Sequence, residues 1–236
     1  MPSLQIIPLE SVPEVQLGDD LGALIAEGAS AGGHEIRTGD CLVVTQKVVS
    51  KAEGRLVPLV HHDLDARRAL IESESVRVLR RRDELMITET AHGFVCANAG
   101  IDLSNVDDGL AALLPVDGDR SAHRIRNSVR ARHGADVAVV VSDTFGRAWR
   151  NGLTDVAIGV AGIAGVVDLR GSVDSRGQEL RVTEVAIADE IAGAAELVMG
   201  KASGVPVAIV RGLPGAWLRD GSVRELVRAP GDDLFR

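Results

Sequence analysis

A mixed α/β sheet, in the α+β class, is the fold the chain predicts, and three observations carry that reading. Short β-branched runs such as residues 137–141 read as buried strands, and they alternate irregularly with stretches of helical period. A hairpin-like pair over residues 85–97 interrupts any regular strand-helix-strand order. No G-x-G-x-x-G follows a strand and no G-x-x-x-x-G-K-[ST] occurs, so neither a Rossmann nor a P-loop site is expected. The 236 residues can bury a full core as one unit spanning 1–236, or as two small intertwined subdomains.

Residues 4–8 form an apolar strand, and Pro13 fixes a turn before Gly18, Asp19 and Asp20 open a helix. Leu21, Leu24 and Ile25 recur there at helical spacing, and Gly32-Gly33 ends it. Residues 40–45 are a strand, and residues 46–51 read as a basic turn just past its end. The spacing predicts one helix over 63–82, with Leu70, Ile71, Val76 and Leu79 as its apolar stripe and Arg80, Arg81 and Arg82 as its solvated end. His61-His62-Asp63 has metal-ligand residue types, but adjacent histidines point in different directions on most backbones.

Two short strands, 85–88 and 93–97, flank a turn and run into N-A-G-I-D-L-S-N at 98–105. Gly100 would let the backbone approach a ligand, and Asp102 and Asn105 would share a face if a helical turn formed there. The other reading of the same residues is an Asx turn. An arginine-rich helix is expected over 121–132, and the small residues of 156–167 suit close packing against backbone, ligand or a second copy. Thr183 starts a helix with Glu184 in its first turn and Ile187, Ile191, Ala195 and Val198 on one face. A loop over 200–204, a strand over 205–210 and a helical piece near 223–227 complete the chain.

The formal charge of −8 excludes a sequence-independent nucleic-acid binder, which needs a basic face, and the lack of Tyr removes stacking platforms for single strands. Cys41 and Cys96 sit in apolar runs and read as reduced buried thiols, which fits the cytoplasm. Neither a leader segment nor a membrane-spanning run is expected.

Chemistry concentrates at residues 137–150, V-A-V-V-V-S-D-T-F-G-R-A-W-R. A strand closed by Asp143-Thr144, a Gly146 turn and two arginines delivers a carboxylate and a hydroxyl to the carboxyl end, where open sheets bind ligands. Asp and Thr at that point serve equally as a helix N-cap. Together with Asp102, Asn105 and the lysines past residue 45, they form a set of oxygen ligands and phosphate-seeking cations. That set suits Mg²⁺- or Mn²⁺-dependent phosphoryl chemistry better than a zinc site.

The stretches V-V-T-Q-K-V-V-S-K-A-E-G-R, N-A-G-I-D-L-S-N-V and V-V-V-S-D-T-F-G-R-A-W-R-N-G closely resemble the coenzyme F420 γ-glutamyl ligase family. L-V-M-G-K and V-P-V-A-I-V-R-G resemble its C-terminal signature, so the likeness runs nearly end to end. It is strongest to the actinobacterial branch, whose members often continue into a flavin-binding, nitroreductase-like domain that this sequence lacks. Either a free-standing ligase or an isolated ligase domain, with a flavin-binding domain fused or separate, is therefore expected, and the resemblance also implies a homodimer.

The resemblance implies GTP-dependent addition of L-glutamate to the deazaflavin precursor F420-0, then of further γ-linked glutamates, through an acyl phosphate. Carried over by motif, Asp102 and Asp143 would bind a first divalent cation, Thr144 a second, and Asn105 GTP; K⁺ is a further candidate ion. Val12, Pro13, Glu14 and Val15 match the nucleotide loop, and Gln46 and Lys51 match further GTP contacts. Lys201 stands near where archaeal members place a Gln on the second metal; a lysine there would neutralise phosphate instead. Arg147 and Arg150 are expected to hold a substrate carboxylate or phosphate bidentately. Outside the resemblance, a metal-dependent phosphohydrolase and a non-catalytic nucleotide-binding module would use the same residues.

Overall fold

Alternating apolar residues in the longest strands split one sheet into two buried faces. The computed structural model describes residues 3–60, 62–104 and 106–234; His61 and Asn105 lie outside the described residues. The elements are β1 (Gln5–Pro8), α1 (Leu21–Ala31), β2 (Cys41–Thr45), α2 (Gln46–Ala52), β3 (Leu56–Pro58), α3 (Leu64–Ser73), β4 (Ser75–Arg82), β5 (Leu85–Thr90) and β6 (Val95–Ala97). They continue with β7 (Leu110–Ala112), α4 (Gly118–His133), β8 (Ala138–Arg147), β9 (Arg150–Ala161), β10 (Val167–Asp168), β11 (Glu184–Val185), α5 (Ile187–Met199) and β12 (Val207–Arg211).

The main sheet has the order β1-β12-β2-β8-β9. Only β2 and β8 run parallel; the other neighbours are antiparallel, so the sheet is mixed, as the irregular strand-helix alternation predicts. Leu42, Val44, Val139, Val141 and Ile209 face α1 and α4, while Val43, Val140, Ala208 and Val210 face α5. This is the period-2 signature of strands buried on both sides. In α4, Ala122, Ile125 and Val129 are buried, Asp117 accepts from the Arg120 amide at 2.9 Å, and Gly134 closes the helix at φ 69°.

Residues 56–112 form a lobe inserted between α2 and α4. The chain enters through β3 and leaves through β7, which pair antiparallel, and the lobe carries the sheet β4-β5-β6 on a small core of Ile71, Met86 and Ala99.

Three expectations are corrected. The helix predicted over 63–82 stops at Ser73, and residues 75–82 are strand β4. Pairing with β5, reinforced by the cross-strand Arg77–Glu89 contact at 2.7 Å, overrides the helical spacing, and Arg81 ties the strand back to Glu72 of α3 at 2.7 Å. Residues 46–51 are helix α2 rather than a turn. Thr183 starts no helix, since β11 comes first and α5 begins at Ile187 with Asp189 and Glu190 in its first turn. Of the uses open to the small residues 156–167, close packing against backbone is the one seen: 157–164 are buried under α4 and α5.

One pair of small residues has a steric reason. Gly118 of α4 and Gly159 of β9 meet backbone to backbone: a Cβ on Gly159 would stand 2.2 Å from the Gly118 carbonyl carbon. Backbone cannot rotate away as a side chain can. Gly159→Ala is expected to destabilise the fold by at least about 2 kcal/mol, read as a lower urea midpoint. A midpoint matching that of the parent chain would contradict the close helix-sheet approach.

Candidate active site

The site lies where the sheet narrows. Strand β2 ends at Thr45, in parallel register with Ser142, whereas β8 continues to Arg147 with only β9 beside it. Asp143 is therefore neither a helix cap nor the last residue of its strand, as the sequence suggested; it stands in a strand whose parallel neighbour has stopped. The Gly146 turn is likewise replaced by a hairpin closing at Ala148-Trp149. Beside this step lies a cavity of about 330 Å³, walled by the 12–15 loop, α2, the lobe and the 200–204 loop.

The lobe brings Asp102 to this cavity. Its backbone makes an isolated bridge with Ala112, at 3.0 and 2.8 Å, and Asn98, Ala99 and Gly100 reach it through successive positive φ angles. Gly100 serves packing here and not ligand approach, because a Cβ added to it would stand 2.8 Å from the Leu114 side chain. The Asp102 carboxylate accepts from the Ser104 amide at 2.8 Å, the Asx-turn alternative, and pairs with Lys47 at 2.9 Å. Burial opposes its ionisation, but the Ser104 and Lys47 contacts outweigh it and hold the carboxyl below its usual range.

Asp143 behaves in the opposite way. Burial, then the nearby Asp102 and Asp155 charges, push its carboxyl up to about 7 against the Thr144 amide and Lys201, which favour the ionised form. Thr144 pairs with Asp155 across the hairpin, and its hydroxyl donates to that carboxylate at 2.5 Å; Ser142 donates to the other oxygen at 3.0 Å. Asp155 is 4% exposed. From α5, Glu196 adds a further carboxyl, raised by burial and by Asp155. Lys201 enters from the loop behind Gly200, whose φ of 60° ends α5.

Val12, Pro13, Glu14 and Val15 line the opposite wall, with Gln46, Lys47 and Lys51 of α2. Lys51 donates to Glu14, tying helix to loop. Gln46 is buried, and its amide nitrogen donates to Ser50 Oγ at 2.7 Å and to the Leu113 carbonyl at 2.8 Å, so it anchors α2 as well as walling the cavity.

The structure thus brings together Val12, Pro13, Glu14, Val15, Gln46, Lys51, Asp102, Asp143, Thr144 and Lys201. It does not bring Arg147 and Arg150 into the cavity wall. Both are exposed on the hairpin arm, and Arg147 donates to the Asn151 carbonyl at 2.6 Å. Asn105 falls outside the described residues. Sequence reasoning passed over Asp155 and Glu196 and gave Lys47 no individual role. Lys47 had a signal, being one of the lysines past the end of β2; Asp155 is found only once the hairpin register is known.

The donor set tests the implied cation. Oxygen ligands from Asp102, Asp143, Thr144 and Asp155, with neither His nor Cys in the wall, suit a hard divalent ion. Burial first, and then the neighbouring Asp102 and Asp155 carboxylates, oppose ionisation of Asp143, a cost that a divalent cation among these oxygens would offset, so the residues fit such an ion. Among the described residues no three His, Cys, Asp or Glu side chains are already gathered as a ligand cluster, and Lys47 holds one Asp102 oxygen. A larger groove of about 630 Å³ between α1, α2 and α4 offers less: Arg55 is paired with Glu74 at 2.7 Å and Arg124 with Glu53 at 3.6 Å.

Comparison with known proteins adds a separate line. A family model described as F420-0:Gamma-glutamyl ligase matches residues 10–212. A coenzyme F420:L-glutamate ligase from Methanothermobacter thermautotrophicus is 43% identical over 99% of this chain and 99% of its own length. Proteins of the same name from Methanopyrus kandleri and Methanocaldococcus jannaschii are 41% and 37% identical, over 100% and 99% of this chain and 99% and 97% of their own lengths. Among the described residues, no helix is long and apolar enough to cross a membrane.

Proposed function

Because the chain belongs to the F420-0:gamma-glutamyl ligase family, we propose that it joins L-glutamate to F420-0, and then adds γ-linked glutamates, at the expense of GTP. The observation that carries this reading is the convergence of Asp102, Asp143 and Thr144 with Lys47, Lys51 and Lys201 on one cavity from distant parts of the chain. Carboxylates and lysines in such proximity suit a triphosphate and its counter-ions.

In the proposed reaction a carboxylate oxygen of F420-0 attacks the γ-phosphorus of GTP; the bond to the β-phosphate oxygen breaks and GDP leaves. The glutamate amine then attacks the acyl carbon, inorganic phosphate departs, and the amine proton passes to solvent. Lys51 and Lys47 face the nucleotide from α2, and Lys201 faces the transferring phosphoryl group from the far wall. Asp102, Asp143 and Thr144 would hold Mg²⁺ or Mn²⁺, which when bound neutralises charge on the phosphates. Asp155 keeps the Thr144 hydroxyl oriented through their hydrogen bond. A cytoplasmic homodimer, K⁺ as an additional ion and a flavin-binding partner belong to the same proposal.

Incubation with GTP and Mn²⁺, with and without F420-0 and glutamate, tests it. Phosphate release that requires both acceptors is expected. Equal release without them would make the chain a phosphohydrolase, and no turnover with both present would make it a nucleotide-binding module.

A further inference from the structure

Among the described residues five carboxylates line the cavity, those of Glu14, Asp102, Asp143, Asp155 and Glu196. Four of them have partners. Glu14 accepts from Lys51, Asp102 from Lys47 and the Ser104 amide, and Asp143 from the Thr144 amide, while Asp155 gives one oxygen to the Thr144 hydroxyl and the other to that of Ser142. Glu196 differs. Among the described residues its side chain makes no hydrogen bond or ion pair, and only the longer-range charges of Asp155 and Lys201 act on it.

Helix packing puts Glu196 there. Ile187, Ile191, Ala195 and Met199 of α5 are buried, and at Gly193 the helix closes on β9, where an added Cβ would lie 3.5 Å from Thr154 Oγ1 and 3.7 Å from the Asp155 carbonyl oxygen. Glu196 follows three residues later, on the same side of the helix, half-buried in the cavity wall. Lys47 and Lys51 reach the cavity from α2, whereas Asp155 and Glu196 reach it from β9 and α5. A phosphate is drawn to the first pair and repelled by the second, which suits a cation. Burial, and then the Asp155 charge, oppose ionisation of Glu196, and an adjacent cation would offset that cost. The ligation proposed above brings one organic cation to the site, because the amino group of L-glutamate is protonated near neutral pH.

We propose that Glu196 receives the ammonium group of the incoming L-glutamate and so selects an amino acid as the acceptor. This rests on the ligase reading above. The ammonium sheds one proton to solvent before its nitrogen attacks the acyl carbon, and Glu196 accepts a hydrogen bond from an N–H that remains. The nucleophile is thereby held on the wall that also carries Lys201, beside the transferring phosphoryl group. A dicarboxylate of the same length without an amine finds no partner at Glu196, so the site distinguishes the two.

The test is steady-state kinetics of the full chain and its Glu196→Gln and Glu196→Asp variants, with equilibrium binding of L-glutamate and of glutarate, which lacks the amine, in the presence of GTP and Mn²⁺. Glu196→Gln is expected to raise KM for L-glutamate about tenfold to hundredfold, the loss of one hydrogen bond between charged groups, while KM for GTP and the Mn²⁺ requirement hold. Glu196→Asp should fall between. The parent chain should bind L-glutamate at least about tenfold more tightly than glutarate, and the Glu196→Gln chain should bind the two alike. An unchanged KM for L-glutamate, or a parent chain that does not prefer it to glutarate, would overturn the proposal. A raised Mn²⁺ requirement in place of a raised KM would also overturn it, by making Glu196 a cation ligand. A parent chain that ligates nothing would refute the ligase reading instead, and the preference for L-glutamate over glutarate, with its loss in Glu196→Gln, still decides whether Glu196 meets the ammonium.

Discussion

Asp143→Asn is expected to abolish ligation while leaving the fold standing and, in the absence of divalent cations, more stable above neutral pH. The substitution keeps shape and removes one charged oxygen from the proposed cation site, so the loss in kcat/KM should reach at least about a thousandfold, roughly 4 kcal/mol of transition-state stabilisation. Stability moves the other way because burial, with Asp102 and Asp155 nearby, pushes the folded carboxyl up to about 7. An unfolded aspartate releases its proton near pH 4. Between those values the folded chain binds more protons than the unfolded one, so its stability falls as pH rises through that window and levels off above it. The decrement should be on the order of 2–3 kcal/mol, because the carboxyl keeps some contact with water at the cavity wall. The Asn variant lacks it. Urea unfolding with a chelator at pH 4.5, 6 and 8 reads the difference. A variant less stable than the parent at pH 8 that still ligates would identify Asp143 as an ordinary structural residue.

Lys47→Ala is expected to produce the second largest effect, concentrated on GTP. Lys47 pairs with Asp102 and donates to Ser104 Oγ at 2.9 Å, so it compensates a carboxylate of the proposed cation site and lines the cavity proposed for the nucleotide. Removing it raises the cost of ionising Asp102 and deletes a positive charge from the wall of the proposed nucleotide cavity. KM for GTP should rise about tenfold to a hundredfold, or roughly 1.4–2.8 kcal/mol of binding, with Lys47→Arg in between because its planar fork cannot occupy the same point. Unchanged GTP kinetics would confine Lys47 to holding Asp102 in place.

How far the sequence revealed these residues follows from the range of the interactions that fix them. The β-branched runs that became β2, β8 and β12 were legible because burial on both faces writes itself into consecutive residues. Residues 75–82 were misread because their strand character comes from pairing with β5, a partner that helical spacing does not reveal. The same holds at the site. Asp102 and Asp143 carry local signatures, whereas Asp155 matters because a hairpin places it opposite Thr144, and Glu196 because α5 packs on one face of the sheet and carries it to the cavity wall. Arg147 and Arg150 drew notice by their nearness in sequence to Asp143, yet an extended strand carries them away from it, out along the arm that ends in Trp149.

The most direct test of the central claim is mass spectrometry of F420-0 incubated with the chain, L-glutamate, GTP and Mn²⁺. The account predicts that F420-0 gains the mass of one glutamyl residue and then of further ones, with one GDP and one phosphate formed per addition. A folded chain that binds GTP and F420-0 yet adds no glutamate would contradict it.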